Sequence, residues 1–253
     1  MTGRRLVILL PALALGLPGL GLAQTVDELV ARNVAARGGA RAWRAVSSLR
    51  LSGQMEVGQG MKVPYVLEQK RPRKMRLEFV FDGETAVQCS DGKTAWKIAP
   101  FQGRREPERL SEEEMREVAS SADLYGLLFE YASRGHAVAL LGREPIQERD
   151  TFKLKVTLPG GAVRWVYLDA ETGLEVKVDA MRTVGGRERR VETFYRDWKA
   201  AEGLLIPRRY ETRTEGATRP QLVTVETVRV NPPLDDSRFV MPAAPPAGAG
   251  QGR

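Results

Sequence analysis

The sequence predicts a mainly β protein with some helix: a curved antiparallel sheet of about 11–12 strands forming an incomplete barrel, with helices covering its concave face. Three observations predict it. Residues 61–101 read as four short strands in succession. Within them Met75, Leu77, Phe79 and Phe81 alternate with Lys74, Arg76, Glu78 and Val80, the period-two pattern of a strand with one face on a core. The breaks are Arg71-Pro72, Asp82-Gly83 and Asp91-Gly92; Asp-Gly supplies the positive φ of a hairpin turn, and proline cannot donate to a ladder. The same texture returns after residue 136 and runs to 230, so about a dozen strands arise, and a sheet of that size with free ends tends to curl.

Taken in order, the chain opens on Arg4 and Arg5, an apolar run over 6–22, and small residues at Gly21 and Ala23. This is the pattern of a secretory signal peptide, residues 1–23, cleaved near Ala23 and leaving a soluble protein in the periplasm. A membrane anchor is the competing reading, but Pro11, Gly16, Pro18 and Gly19 interrupt the run. Gln24, not cysteine, follows the site, which argues against a lipoprotein anchor. Loss of Arg4 and Arg5 lowers the formal charge from +7 to +5, basic without being extreme. Residues 24–242 read as one domain without a linker, and the alanine, glycine and proline of 243–253 as a disordered tail.

Thr25 to Glu28 match a capping box, and Val26, Leu29, Val30 and Val34 then share a helical face up to Gly38-Gly39. A short helix over 40–46 carries Trp43. The first strand follows, with Leu49, Leu51, Gly53, Met55 and Val57 on one side. Residues 102–110 are polar and give no strand signal. Ser111 to Glu114 form a second capping box, opening a helix towards Ala119, and Asp123 caps a further helix in which Leu124, Leu127, Leu128 and Tyr131 share a face, ending at Gly135. This insert lies between two runs of strands, so it crosses a face or opening of the sheet, as a static filler or as a movable cover. Strands resume at 136–141, 151–158, 163–168, 174–184, 188–198, 204–214 and 221–230, and the short glycine-rich turns between them make sequence neighbours sheet neighbours.

Catalytic chemistry has little support. His136, the only histidine, stands at a strand start with no acid or serine partner in a recognisable motif and reads as a surface residue. Cys89 lies on the buried face of its strand as an inert small hydrophobe. No histidine and cysteine cluster has metal-ligand spacing, and no phosphate loop or dinucleotide fingerprint calls for a cofactor. The basic runs, among them Lys70-Arg71, Arg104-Arg105 and Arg208-Arg209, fit a solvated sheet face or attraction to anionic headgroups, about 1 kcal/mol per residue near a membrane. Export argues against nucleic acid.

The segments ARGGARAWRAVSSLRLSG, LEQKRPRKMRLEF, DGKTAWKIAPFQG, ADLYGLLFEYASRGHAVALLGRE, TFKLKVTLPGG, YLDAETGLEVK, GLLIPRRYE and VNPPLDDSRFVMP resemble the exported outer membrane lipoprotein-sorting proteins of the LolA/LolB-like lipoprotein-carrier superfamily. The resemblance covers nearly the whole chain after residue 23. It implies an incomplete barrel with helices over its mouth, enclosing an apolar cavity for acyl chains.

Residues and resemblance together lead to a non-enzymatic binding protein whose partner is lipid or acylated lipoprotein, with transient contact to a membrane surface or membrane protein. An envelope sensor using the same pocket, signalling through a membrane partner, stands as the alternative. The candidate cavity residues are Leu77, Phe79, Phe81 and Trp96 from the first run of strands, Leu124, Leu127 and Leu128 from the insert, and Phe152, Leu154, Trp165 and Tyr167 from the second run.

Overall fold

The computed structural model describes residues 24–58, 60–184 and 186–243; the expected signal peptide, and 244–253 of the expected tail, lie outside them. Two helices come first, α1 (Val26–Ala36) and α2 (Ala40–Arg44), then six strands: β1 (Ser48–Val57), β2 (Met61–Lys70), β3 (Lys74–Phe81), β4 (Glu84–Ser90), β5 (Ala95–Ala99) and β6 (Arg104–Arg109). After α3 (Glu112–Ser121) come β7 (Ala137–Arg143), β8 (Thr151–Thr157), β9 (Val163–Asp169), β10 (Glu175–Val184), β11 (Arg187–Ala201), β12 (Leu204–Thr214) and β13 (Gln221–Val230). All thirteen join one curved, open, antiparallel sheet in the order β6-β5-β4-β3-β2-β1-β13-β12-β11-β10-β9-β8-β7. Every neighbour is a sequence neighbour except β1 and β13, whose pairing (Leu49 with Val230, Met55 with Val223) fuses the two meanders. Gly53 makes that seam possible: a Cβ there would stand 2.0 Å from the Thr224 carbonyl oxygen.

The strand count exceeds the expected 11–12 because β6 carries no apolar alternation. Its sequence, RREPER, is exposed or half-buried throughout, as suits an edge strand wet on both faces, and Pro107 is tolerated where no further strand needs its N–H. The second difference is the helix expected over 123–135. Asp123 Oδ1 does accept the Tyr125 N–H (3.1 Å), but Gly126 (φ 77°) and Glu130 (φ 48°) adopt left-handed backbone, and the segment runs as successive turns. Both capping boxes form. Thr25 Oγ1 accepts from the Glu28 N–H while Glu28 Oε2 accepts from the Thr25 N–H (2.8 Å), and Ser111 and Glu114 repeat the arrangement before α3.

Side chains on the two faces of the sheet build separate cores. On the concave side Leu29 and Val30 of α1 meet Phe152, Leu154 and Val166, with Leu128 from the turn segment. Trp43 of α2 packs on Leu49, Leu51 and Ile206, and Val118 of α3 and Ala122 just past its end pack on Met75 and Ala95. On the convex side the C-terminal segment returns over β2–β5: Phe239 is buried with Cys89 and Trp96, and its carbonyl accepts from Trp96 Nε1 (3.1 Å). Lys70 and Lys74 hold Asp236, and Arg238 holds the buried Glu68.

Candidate functional site: a cavity under the curved sheet

The concave face is not filled. Between the sheet and the segment 123–128 lies a cavity of about 750 Å³, within the range of small-molecule pockets. Strands β1–β3 line it with Leu49, Leu51, Met55, Leu77 and Phe79 among others, which the period of two places on one side of each strand. Leu124, Leu127 and Leu128 close it from the cover. Strands β10–β13 supply the facing wall, where Tyr195 and Tyr210 lie opposite each other in the β11–β12 ladder, their rings 5.6 Å apart and edge-on.

The cavity has a charged base. Arg37, just past α1, donates Nη1 to the Tyr125 carbonyl (3.0 Å) and to Glu175 Oε1 (3.2 Å), and its guanidinium lies over the Trp43 ring. It thereby joins α1, the cover and the start of β10. Asp123, also in the lining, pairs with Arg134; burial pushes its carboxyl up against the opposing pull of that arginine. Burial and the charge of Glu175 hold the Tyr195 phenol at about 12, and Tyr210 is raised by burial and its tyrosine neighbours, so both hydroxyls stay protonated donors at neutral pH.

Of the eleven residues singled out from the sequence, the structure brings five to the cavity: Leu77, Phe79, Leu124, Leu127 and Leu128. Phe81 faces the same way at the end of β3 but packs on Phe101 beyond the lining. Phe152 and Leu154 are concave yet covered by α1. Trp96, Trp165 and Tyr167 lie on the convex face, Trp96 under the C-terminal segment and the other two in a cluster with Val176 and Phe194. Period-two alternation is ambiguous for β9, because Val166 and Leu168 point one way and Trp165 and Tyr167 the other, and both sets are apolar. His136 is not a surface residue. It is 7% exposed, with Nδ1 2.9 Å from the Leu127 carbonyl oxygen, at the root of the cover. The residues missed include apolar ones of the wall, such as Leu49, Leu51 and Met55, and the polar ones Arg37, Glu175, Arg182, Tyr195 and Tyr210. Tyr195 and Tyr210 do share the parity of Val191 and Ile206, but nothing local marks that parity as inward. Among the described residues no group of three metal-ligating side chains occurs, and no helix is long and apolar enough to cross a membrane.

No family model matches the chain, and no curated protein matches its sequence. Solved structures share its fold. A LolA superfamily protein from Nitrosomonas europaea superposes with a TM-score of 0.55 at 14% identity, covering 86% of this chain and 98% of its own. A domain assigned as an outer membrane lipoprotein-sorting protein from Vibrio parahaemolyticus gives 0.55 at 13%, covering 85% and 97%. A DUF1329 family protein from Desulfovibrio piger gives 0.56 at 13%, covering 85% and 97%. The likeness extends over nearly the full length of each, and the fold of this chain is LolA-like.

Proposed function

We propose that this chain is an exported binding protein that holds lipid or acylated lipoprotein cargo in its cavity and carries it between membranes of the envelope without changing it chemically. The observation that carries the reading is the cavity of about 750 Å³ with a mostly apolar wall on β1–β3 and leucines on the cover above it. An acyl chain moved from water into such a space gains about 0.8 kcal/mol per buried methylene, enough to hold it in solution and little enough for a membrane to take it back. The name of the Vibrio parahaemolyticus neighbour, a lipoprotein-sorting domain, supports the same class of cargo.

The test is uptake. The chain lacking residues 1–23 is incubated with radiolabelled fatty acid or triacylated lipoprotein, and soluble complex is measured against delipidated protein. Stoichiometric complex is expected, lost in Leu77→Asp and Leu127→Asp with circular dichroism unchanged. No uptake of any acylated ligand by the folded protein would overturn carrier and lipid-sensing readings together. Uptake without transfer to acceptor vesicles, alongside a protein partner retained with and without ligand, would replace the carrier by a sensor.

A further inference from the structure

The charges about the cavity are already paired. Arg37 holds Glu175, Arg134 holds Asp123, and Arg164 and Arg182 also have partners. An anion buried here would meet no spare countercharge and would lose its water for little return. Arg37 Nε and Glu175 Oε2 lack hydrogen-bond partners among the described residues, but burial seals both off from the cavity. The Thr193 and Thr212 hydroxyls, which meet at 3.3 Å, satisfy each other. Three neutral groups are left open. Tyr65, Tyr195 and Tyr210 are the tyrosines of the lining, and none of their hydroxyls bonds to another described residue. None is sealed into the wall as a buried unsatisfied atom either, so each opens on the cavity.

Their places in the sheet converge. Tyr195 and Tyr210 stand opposite each other in the β11–β12 ladder, and Tyr65 lies on β2 with Gly53, which carries no side chain, between it and Val225 of β13. Tyr65 and Tyr195 are both near enough to act on the Tyr210 phenol. Burial raises all three phenols above their ordinary value, so they are uncharged donors at neutral pH. A saturated chain laid over them would strip water from these hydroxyls and return no hydrogen bond. A ligand with acceptor oxygens at the head of its chains removes that cost. The carbonyl oxygens of ester-linked acyl chains are such acceptors: they carry no charge and sit where the hydrocarbon begins, so the chains beyond them can lie along Leu51, Leu77 and Phe79.

We infer that Tyr65, Tyr195 and Tyr210 form a carbonyl subsite, their hydroxyls donating to the ester carbonyls of acyl chains held in the cavity. This rests on the lipid-binding reading above and narrows its cargo to ester-linked chains, whether those of a glycerolipid or of a lipoprotein.

Dipalmitoylglycerol and its dihexadecyl ether, which differ only in the carbonyl oxygens, are presented from cyclodextrin to the chain lacking residues 1–23, and bound lipid is counted by native mass spectrometry. The expected preference for the ester is about tenfold, the size of one to two neutral hydrogen bonds. In Tyr65→Phe and in Tyr210→Phe, which keep the ring, the ester loses affinity, the ether keeps or gains it, and the ratio falls towards one. Loss of both lipids alike in these variants would mark the tyrosines as merely structural and overturns the inference. Equal uptake of ester and ether by the unaltered protein overturns the carbonyl subsite and leaves acyl binding standing. Uptake of neither lipid, nor of fatty acid, by folded protein overturns both. The same tyrosine dependence measured with a dipalmitoylglyceryl lipopeptide assigns the subsite to lipoprotein cargo, and its confinement to dipalmitoylglycerol assigns it to membrane lipid; either result supports the inference.

Discussion

Phe79 and Leu154 both point to the concave side, and they differ in what stands above them. Leu154 is wholly buried beneath α1, in contact with the cluster that includes Leu29, Leu128 and Val166, whereas Phe79 faces the cavity with Phe101 at its flank. Leu154→Ala should therefore cost about 2–5 kcal/mol in urea unfolding, the transfer energy plus a new void. Phe79→Ala should cost much less, since its space is already open, and should instead reduce acyl-ligand uptake. Equal losses of stability would mean that the concave face is packed shut over Phe79. Cys89 gives an independent check on the convex core. Enclosed by Trp96 and Phe239, its thiol is pushed up to about 11 by burial, so a thiol reagent at neutral pH should modify it only at the rate of unfolding. At this scale the sequence speaks through parity. In β3 the alternate residues are mostly charged and the inward set is plain; in β9 both sets are apolar, and only the tertiary context sends Trp165 and Tyr167 outward.

Among the elements, α3 has the most local origin. Ser111 and Glu114 cap it reciprocally, and Glu114 Oε1 also accepts from Lys97 Nζ (2.8 Å) on β5, which ties the helix start to the sheet. The lysine and the Ser111 N–H together hold the Glu114 carboxyl at about 2, against an ordinary 4.5. A carboxyl lowered in the folded state contributes stability that is present above the ordinary value and is lost as pH falls towards the lowered one. Hydrogen exchange of α3 should thus accelerate, relative to its intrinsic rate, between pH 4.5 and about 2, and Glu114→Gln should remove most of that pH dependence. Because the carboxylate is largely solvated, added salt should weaken the effect. Capping boxes were legible because both partners lie within four residues. The turn segment was not: its leucines do recur at helical spacing, yet Gly126 and Glu130 break the helix, and the ties that hold it come from Arg37, Arg44 and Asp27, far away in sequence. Strand β6 escaped notice for the opposite reason, since an edge exposed on both faces needs no apolar pattern.

At the scale of the molecule, thirteen strands curl around a space that α1, α2 and α3 fill only in part, and segment 123–135 roofs the remainder. The two sides of that space differ in construction. Every strand except the edges β6 and β7 is laddered to a neighbour on both sides, although β12 and β13 pair over four residues only, so opening an inner strand requires breaking its neighbours. The roof has local turn bonds, such as Tyr131 N–H to Leu128 and Arg134 N–H to Glu130, the packing of Leu124, Leu128 and Phe129 on the concave cores, and side-chain ties: Arg37 to the Tyr125 carbonyl, Arg44 to Glu130, and the Tyr131 hydroxyl to Asp27 (2.7 Å). The Arg44 and Tyr131 ties are exposed and individually worth about 1 kcal/mol or less, whereas Arg37 is nearly buried; because opening the roof breaks no strand ladder, its cost should still lie below that of global unfolding. Cargo that fills the cavity adds contacts to Leu124 and Leu127 in the closed form alone, and it can shift the equilibrium only by that difference in affinity. The expected result is therefore low hydrogen-exchange protection over 123–135 in the empty protein, well below β1, β2 and β11–β13, and a rise in protection there on loading with acylated ligand while the central strands stay unchanged. Arg44→Ala should lower the empty-state protection of the roof without altering that of β1–β2, because its partner Glu130 belongs to the roof. A roof as protected as the strands, and indifferent to ligand, would show a fixed part of the core, and cargo would then have to enter past the open ends of β1, β3 and β10–β13, where Val57, Phe79 and Arg182 line the cavity.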